Sequence, residues 1–320
     1  MAAGDVTGPL VSVIIPAYNS EKYIPETLRS VIAQTYQNIE IIVVDDASTD
    51  ATLQVLQSID INRPMSVIKK EKNSGAAASR NIGYKHSKGS LIKFLDADDF
   101  IDPEMIANQV ALATDENNII SAQWGRFVND DITTFKLSPE TCWQTMPSSD
   151  WVCASWRNAN AMTNPGIFLI PRKIIENAGL WDETLSLLDD TEYFMKTILA
   201  AENVIFSNNS TLYYRSGLNN SLSRTKTRKG FESAFMAIEK ASLTLLSKRN
   251  DHAAKLACAN NWQLFIYDHY PNYPDLTAKA EAYIQQLTTP DLPFPSGGYT
   301  KLLLNFLNWK TIKSIKQKIG

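Results

Sequence analysis

Four short runs of almost unbroken apolar residues constrain this chain most: 11–16 (VSVIIP), 39–44 (IEIIVV), 66–69 (SVIK) and 91–95 (LIKFL). A strand with one face in water alternates apolar and polar side chains. These runs do not alternate, so both of their faces must be covered. Segments of helical period separate and follow them, at 20–35, 50–60, 75–87 and 103–113. Strand and helix in turn, four times over, predict an α/β chain built on a mostly parallel, Rossmann-like sheet flanked by helices. Ligands bind such sheets beyond the carboxyl ends of the strands. The residues that follow each run are therefore the candidates: Ala17, Tyr18 and Asn19, then Asp45 and Asp46, then Asp96, Asp98 and Asp99.

Beyond this half the pattern changes twice. Between about 117 and 170 it is irregular and rich in Trp and Asn, with a strand expected at 166–170. Helices follow at 171–178 and 189–201, and a closing strand pair at 203–207 and 211–215. From about 228 the chain reads as helical, at 229–249, 252–268, 275–287 and 299–318, after a polar stretch that sets a boundary near 225. The expected organisation is one domain over 1–225, with halves at about 10–115 and 116–225, and a smaller helical region over 226–320.

Several classes of function are excluded. No G-x-G-x-x-G follows a strand and no G-x-x-x-x-G-K-[ST] occurs, which counts against dinucleotide enzymes and P-loop NTPases. A net charge of −3 gives no reason to expect a nucleic-acid partner. Cys142, Cys153 and Cys258 are odd in number and form no CxxC pair, as in a reducing compartment. With no secretory signal at the start and no run of 18 apolar residues, a cytoplasmic location is expected.

The acids carry the chemistry. Asp45 and Asp46 follow an apolar strand, and a carboxylate there can accept the imide N–H of a uracil, although Ser48 and Asp50 also suit the cap of the next helix. A strand ending in Asp96-Ala97-Asp98 places two carboxylates on one side of an extended backbone, about 6–7 Å apart. Hard cations take oxygen ligands and share them with phosphates, so this geometry suits a divalent cation on a diphosphate. Asn73 and Arg80 flank a Gly-containing turn, NSGAAASRN, and face either a nucleotide or solvent. Asp189, Asp190 and Glu192 open a helix whose dipole favours their ionised form, as a general base requires.

Taken in order, VSVIIPAYNSEKYIPETLRSVIAQTY, IEIIVVDDASTDAT, NSGAAASRNIG, LIKFLDADD and GLWDETLSLLDDTEYFMK resemble the family 2 glycosyltransferases of the GT-A fold, over about residues 10–224. The resemblance implies an inverting transfer of one sugar from a nucleotide-diphosphate donor, a UDP-sugar, to a hydroxyl acceptor. It implies a donor pocket of Pro16, Tyr18 and Asp46, with Asp46 reading the base and Asn73 and Arg80 touching the nucleotide. Asp96 is then near the ribose and diphosphate, Asp98 holds Mn²⁺ or Mg²⁺, and Asp190 is the general base. The family's usual Glu-Asp pair is Asp189-Asp190 here. Gly217 stands where many relatives carry a metal-completing His, and the processive Gln-x-x-Arg-Trp is missing. Alternatives are a non-catalytic nucleotide-sugar-binding homologue, or a pyrophosphorylase, for which no Gly-rich basic loop follows the first strand.

The acceptor implied is a surface glycan, a lipid-linked saccharide or a small molecule. The tail bears on that choice. Residues 297–320 hold five lysines and no acid, with Leu302, Phe306 and Trp309 on one helical face and Ile312, Ile315 and Ile319 on the next. Such a helix lies on an anionic membrane surface, or else docks on the preceding helices or on a second subunit.

Overall fold

The apolar runs become β1 (Val11–Ala17), β2 (Ile39–Asp45), β3 (Met65–Lys69) and β4 (Leu91–Phe94). The computed structural model describes residues 8–59, 63–159, 163–217, 227–304 and 306–319. The four strands lie parallel in the order β3-β2-β1-β4, and a two-residue strand, β9 (Ile170–Pro171), closes the edge antiparallel to β4. Both faces of β1, β2 and β4 are covered, as the unbroken apolar runs required, with Val13, Ile14, Ile15, Val43 and Val44 fully buried. The edge strand β3 is only partly buried and exposes Ser66 and Lys69. The helices between the strands are α1 (Ile24–Ile32), α2 (Thr52–Ser58) and α3 (Gly75–His86), with α4 (Met105–Leu112) after β4. Helix α3 packs against β1 so closely that a Cβ on Gly83 would meet Ile14 Cγ2 at 2.3 Å. Strand order reverses between β1 and β4, and the crevice a ligand would use opens there.

A second sheet stands where the sequence looked irregular. Its strands are β5 (Phe100–Ile101), β6 (Asn118–Val128), β7 (Asp131–Leu137), β8 (Met146–Pro147) and β10 (Asn203–Ser216), in the order β5-β10-β6-β7 with β8 also on β10. Strands β6 and β7 form a hairpin whose two turn residues, Asn129 and Asp130, have φ of 55° and 63°, the left-handed pair of a type I′ turn. The pair of strands expected at 203–207 and 211–215 is instead one strand. Its register shifts between Ser207 and Thr211, and the polar interruption is a bulge held by a Ser207–Ser210 hydroxyl contact of 2.7 Å and by Asn108 on the Asn209 carbonyl. The strand expected at 166–170 is a 3-10 turn at Pro165–Ile167, capped by the Asn164 side chain, and only then β9.

Helices α5 (Ser148–Trp156), α6 (Arg172–Ala178) and α7 (Asp189–Leu199) complete this half. The boundary expected near 225 lies outside the described residues. After it come α8 (Arg228–Lys248), α9 (His252–His269) and α10 (Pro274–Leu287), which bury a second apolar cluster around Phe235, Trp262 and Phe265. They also send Ala241, Leu245, Ala254 and Cys258 into the main core. The single helix expected over 299–318 is two, α11 (Tyr299–Leu303) and α12 (Trp309–Ile319). Asn308 starts the second one by accepting the Thr311 N–H at 2.9 Å. This break splits the expected apolar face. Trp309 packs on Tyr267 and Phe294 and Ile312 is buried, whereas Leu302 and Phe306 remain exposed, Phe306 by 86%. The Ile319 side chain lies outside those described. Among the described residues no helix is long and apolar enough to cross a membrane.

Candidate active site

The loops after β1 and β2 are laced together at the switch point. The Asn19 N–H donates to Ser48 Oγ (3.0 Å), the Thr49 N–H to Asn19 Oδ1 (2.8 Å) and the Ser20 N–H to Thr52 Oγ1 (2.7 Å). Pro16 is the next-to-last residue of β1, in register with Val44, and Tyr18 projects from the loop, 48% exposed. Asp46 is buried against the start of α3. Its Oδ1 accepts the Ser74 N–H (2.9 Å) and the Lys70 ammonium (2.5 Å), and its Oδ2 accepts the Gly75 N–H (2.7 Å). Gly75 has φ +90°, a conformation that favours glycine at this corner. Asn73 is exposed on the same loop.

The acids after β4 do not lie on an extended strand as the spacing predicted. The strand stops at Phe94, and the Asp99 N–H closes a turn on the Asp96 carbonyl at 3.3 Å. Two of the three carboxylates are committed. Asp96 pairs with Arg80 (2.7 Å), and wholly buried Asp99 accepts the Arg215 N–H (2.9 Å) and Asn164 Nδ2 (2.7 Å). Arg215 also donates from Nε to the Asp98 carbonyl (2.8 Å), pairs with Glu26 and Asp130, and lies between the rings of Tyr23 and Phe127. Asp98 is left with its carboxylate half-buried and without a side-chain partner among the described residues. Burial, and then the charge of Asp96, push it up to about 6. The same forces, with Asp98 added, hold Asp99 well above the usual carboxylate range.

The second acid pair meets the first through one side chain. Arg80 is buried, its guanidinium 4.3 Å from the ring centroid of Trp181, and it reaches Asp96 with one arm and Asp189 (3.2 Å) with the other. Burial opposes its charge, but the two aspartates outweigh that and raise its affinity for the proton. Next to Arg80, Asn81 bonds the Trp181 carbonyl, the Glu183 carboxylate and the Trp181 N–H at 2.8–3.0 Å. Helix α7 then begins after Leu188, whose φ is +58°. Its first carboxylate, Asp189, goes to Arg80. Its second, Asp190, accepts only the Thr191 N–H (2.7 Å) among the described residues. The pull of the helix dipole on Asp190 is opposed: burial first, then the charge of Asp189, push its carboxyl up to about 7.

Sequence reasoning missed the supports. Arg215, Asn164, Asn81 and Lys70 each make a contact described above, and Ser233 on α8 makes three more. Its hydroxyl receives the N–H groups of Ser186 (2.8 Å) and Leu187 (3.0 Å) and donates to the Leu187 carbonyl (3.0 Å). Nothing local marks these residues, although Asn81 and Trp181 fall within motifs already quoted. Gly217 has φ +82°, and a Cβ there would come within 2.8 Å of Asn129 Oδ1, so the local backbone disfavours a His. Among the described residues no group of three or more His, Cys, Asp or Glu is placed to hold a metal. The donor set suits a hard cation that takes one carboxylate, Asp98, and fills its other positions with phosphate oxygens and water.

An acidic crevice at the switch point of a parallel sheet, joined to a second mixed sheet, defines the GT-A class of fold. The description "Glycosyl transferase family 2" matches residues 12–178, and the chain belongs to that family. Over 101 residues it is 46% identical to the Escherichia coli UDP-Glc:alpha-D-GlcNAc-diphosphoundecaprenol beta-1,3-glucosyltransferase WfaP, a match covering 32% of this chain and 40% of WfaP. The chain spans about two fifths of the length of the curated relatives it matches in this way. Its fold superimposes on S. aureus TarS 1–349 in complex with UDP-GlcNAc with a TM-score of 0.70 at 21% identity, covering 87% of this chain and 82% of that one. A mannosyltransferase from Pyrobaculum calidifontis, solved with GDP-Man and Mn²⁺, superimposes at 0.55 and 18% identity, covering 98% of this chain and 86% of the other.

Proposed function

We propose that the protein is an inverting glycosyltransferase that moves one hexosyl or N-acetylhexosaminyl unit from a UDP-sugar to an acceptor hydroxyl. The observation that carries this reading is the Arg80 bridge, which ties the Asp96–Asp99 turn to the Asp189–Asp190 helix start at one edge. Pro16 and Tyr18 border the nucleotide, Asn73 closes over it, and the spare lone pair of Asp46 Oδ2 takes the imide N–H of the base. Asp96 faces the ribose and diphosphate. Asp98 would hold Mn²⁺ or Mg²⁺, which neutralises the leaving diphosphate. Asp190 is the uncommitted carboxylate on the acceptor side. It takes the acceptor proton as the oxygen attacks the anomeric carbon from the face opposite the diphosphate, so the configuration inverts. A base near 7 suits that step, because a large fraction of it is ionised at neutral pH and it is basic enough to pull.

The relatives support the choice of substrates: WfaP is named for UDP-Glc and a diphosphoundecaprenol acceptor, and the TarS structure holds UDP-GlcNAc. A surface glycan or lipid-linked acceptor is therefore expected. Exposed Leu302, Leu303 and Phe306, in a tail with five lysines and no acid, suit peripheral contact with an anionic membrane. The test is UDP release from a panel of UDP-sugars with Mn²⁺, in wild type and Asp98→Ala, with and without EDTA. Release by wild type alone, lost on chelation, is expected. Full activity in EDTA defeats the metal assignment, and no turnover of any nucleotide-sugar defeats the enzyme reading.

A further inference from the structure

A pocket of about 390 Å³ lies in the second sheet, lined among others by Trp124, Arg126, Glu140, Ser155 and Asn158. Its volume falls within the range of small-molecule sites, roughly 300–1,000 Å³. Neither the donor crevice between β1 and β4 nor the base loop accounts for it. We propose that this pocket binds the acceptor, and that Arg126 receives a negatively charged group on it, a phosphate or a carboxylate. This deepens the transferase reading and rests on it.

Three observations lead there. The first is a contrast among arginines. Arg80 and Arg215 are buried at this edge and each is paired with two acids. Arg126 is exposed and, among the described residues, its guanidinium has neither an ion pair nor a hydrogen bond. It lies instead over two rings, 5.0 Å from the centroid of Tyr214 and 5.8 Å from that of Trp124. A guanidinium oriented by aromatic faces and lacking a counter-ion presents its planar fork to an anion from outside.

The second is position. In the β10–β6 pairing Tyr214 stands beside Arg126 and Arg215 beside Phe127, so Arg126 is one strand away from the residue that holds the Asp98 turn. Tyr214, which lies edge-on to Trp124 at 6.2 Å, also feels the turn: burial, then the charges of Asp99 and Asp98, raise its hydroxyl to about 12. The third is the rest of the lining. Glu140 accepts the Cys142 thiol (3.4 Å) and, with Asn158, supplies groups that suit sugar hydroxyls beside an aromatic wall. A nucleotide-sugar seated at the switch point has its own carboxylate and cation-binding turn, which leaves Arg126 for the second substrate.

The experiment keeps the donor site filled with UDP and Mn²⁺ and titrates three probes by saturation-transfer NMR: glucose 1-phosphate, glucuronate and methyl glucoside. A charged probe should bind roughly tenfold or more tighter than methyl glucoside, the scale of a charge-assisted hydrogen bond. Tighter glucose 1-phosphate assigns a phosphate-bearing acceptor, and tighter glucuronate a carboxylate-bearing one. Arg126→Ala should erase the preference and leave UDP affinity unchanged, and Arg126→Lys should restore part of it. Equal binding of methyl glucoside overturns the proposal. So does a loss of UDP affinity in Arg126→Ala, since the cation would then serve the donor. A wild type that binds charged sugars but turns over no UDP-sugar leaves the pocket standing and sinks the transferase reading instead.

Discussion

The two acid pairs at the crevice are chemically alike and are held in different ways. Each has one carboxylate on Arg80 and one without a side-chain partner among the described residues, Asp98 on the turn after β4 and Asp190 on α7. The Asp98 turn is fastened within the sheets, by Arg215 from β10 and by Asn164. The Asp190 loop is fastened from outside them, by Ser233 on α8 and by Leu187 and Leu188 packing on the C-terminal cluster. The Asp98 turn is thus supported from the sheet side, whereas the proposed base, Asp190, depends on the helices that follow.

That difference can be broken from either side. The largest effect is expected from Asp190→Asn, which should lower kcat by about 10²–10⁴ while UDP affinity stays near wild type. A mutant transferring sugar at the wild-type rate would move the base to Asp189 or Glu192. In wild type kcat should rise with pH through about 7, because the base acts only when ionised. Stability runs the other way. The unfolded carboxyl titrates near 3.8 and the folded one near 7, so the native state binds the proton more tightly and loses this contribution as pH rises between the two. Asp190→Asn should therefore be more stable than wild type in metal-free urea titrations at pH 8.

Next comes Arg80→Ala, which strikes both pairs at once. It leaves Asp96 and Asp189, both half-buried, without their shared cation, at a cost of about 1–3 kcal/mol. Arg80→Lys should not rescue it, since a single ammonium cannot span two carboxylates as the guanidinium fork does. A denaturation midpoint unchanged from wild type would show that the bridge contributes nothing to the fold. Ser233→Ala is the milder and more selective probe. Removing its hydroxyl unsatisfies the loop at about 1–3 kcal/mol, and kcat should fall with no change in UDP affinity. If UDP affinity drops as well, the two acid pairs are not separately supported. The smallest effect is expected at the tail: Phe306→Glu should reduce co-sedimentation with anionic vesicles and leave UDP-sugar hydrolysis intact. Equal sedimentation of both proteins would detach the tail from any membrane role.

The first sheet was legible because its signal is local. An apolar run with no alternation marks a strand wherever it occurs, and β1, β2, β3 and β4 fall where the runs predicted, although the edge strand β3 is not covered on both faces. The second sheet hid for a comparable reason. Strand β6 mixes Gln123, Trp124, Gly125 and Arg126, and its burial is supplied by partners as distant as β10. The bulge in β10 read as a turn because side-chain contacts, not backbone pattern, carry the chain across it. In the tail, a capping asparagine at 308 outweighed a helical period that ran past it.

At the site the sequence determined which carboxylates stand at the crevice, since strand ends and a helix start place them there by local rules. It could not determine their neighbours or their charge. Arg80 meets Asp189 across 109 residues, and the Arg215 backbone meets Asp99 across 116. Those meetings decide which acids are committed and which are left. The shift of Asp190 to about 7 against the pull of its own helix dipole is likewise a property of burial and of assembled charges. A proton's affinity depends on the dielectric and the charges within a few ångströms, and tertiary packing alone brings those together.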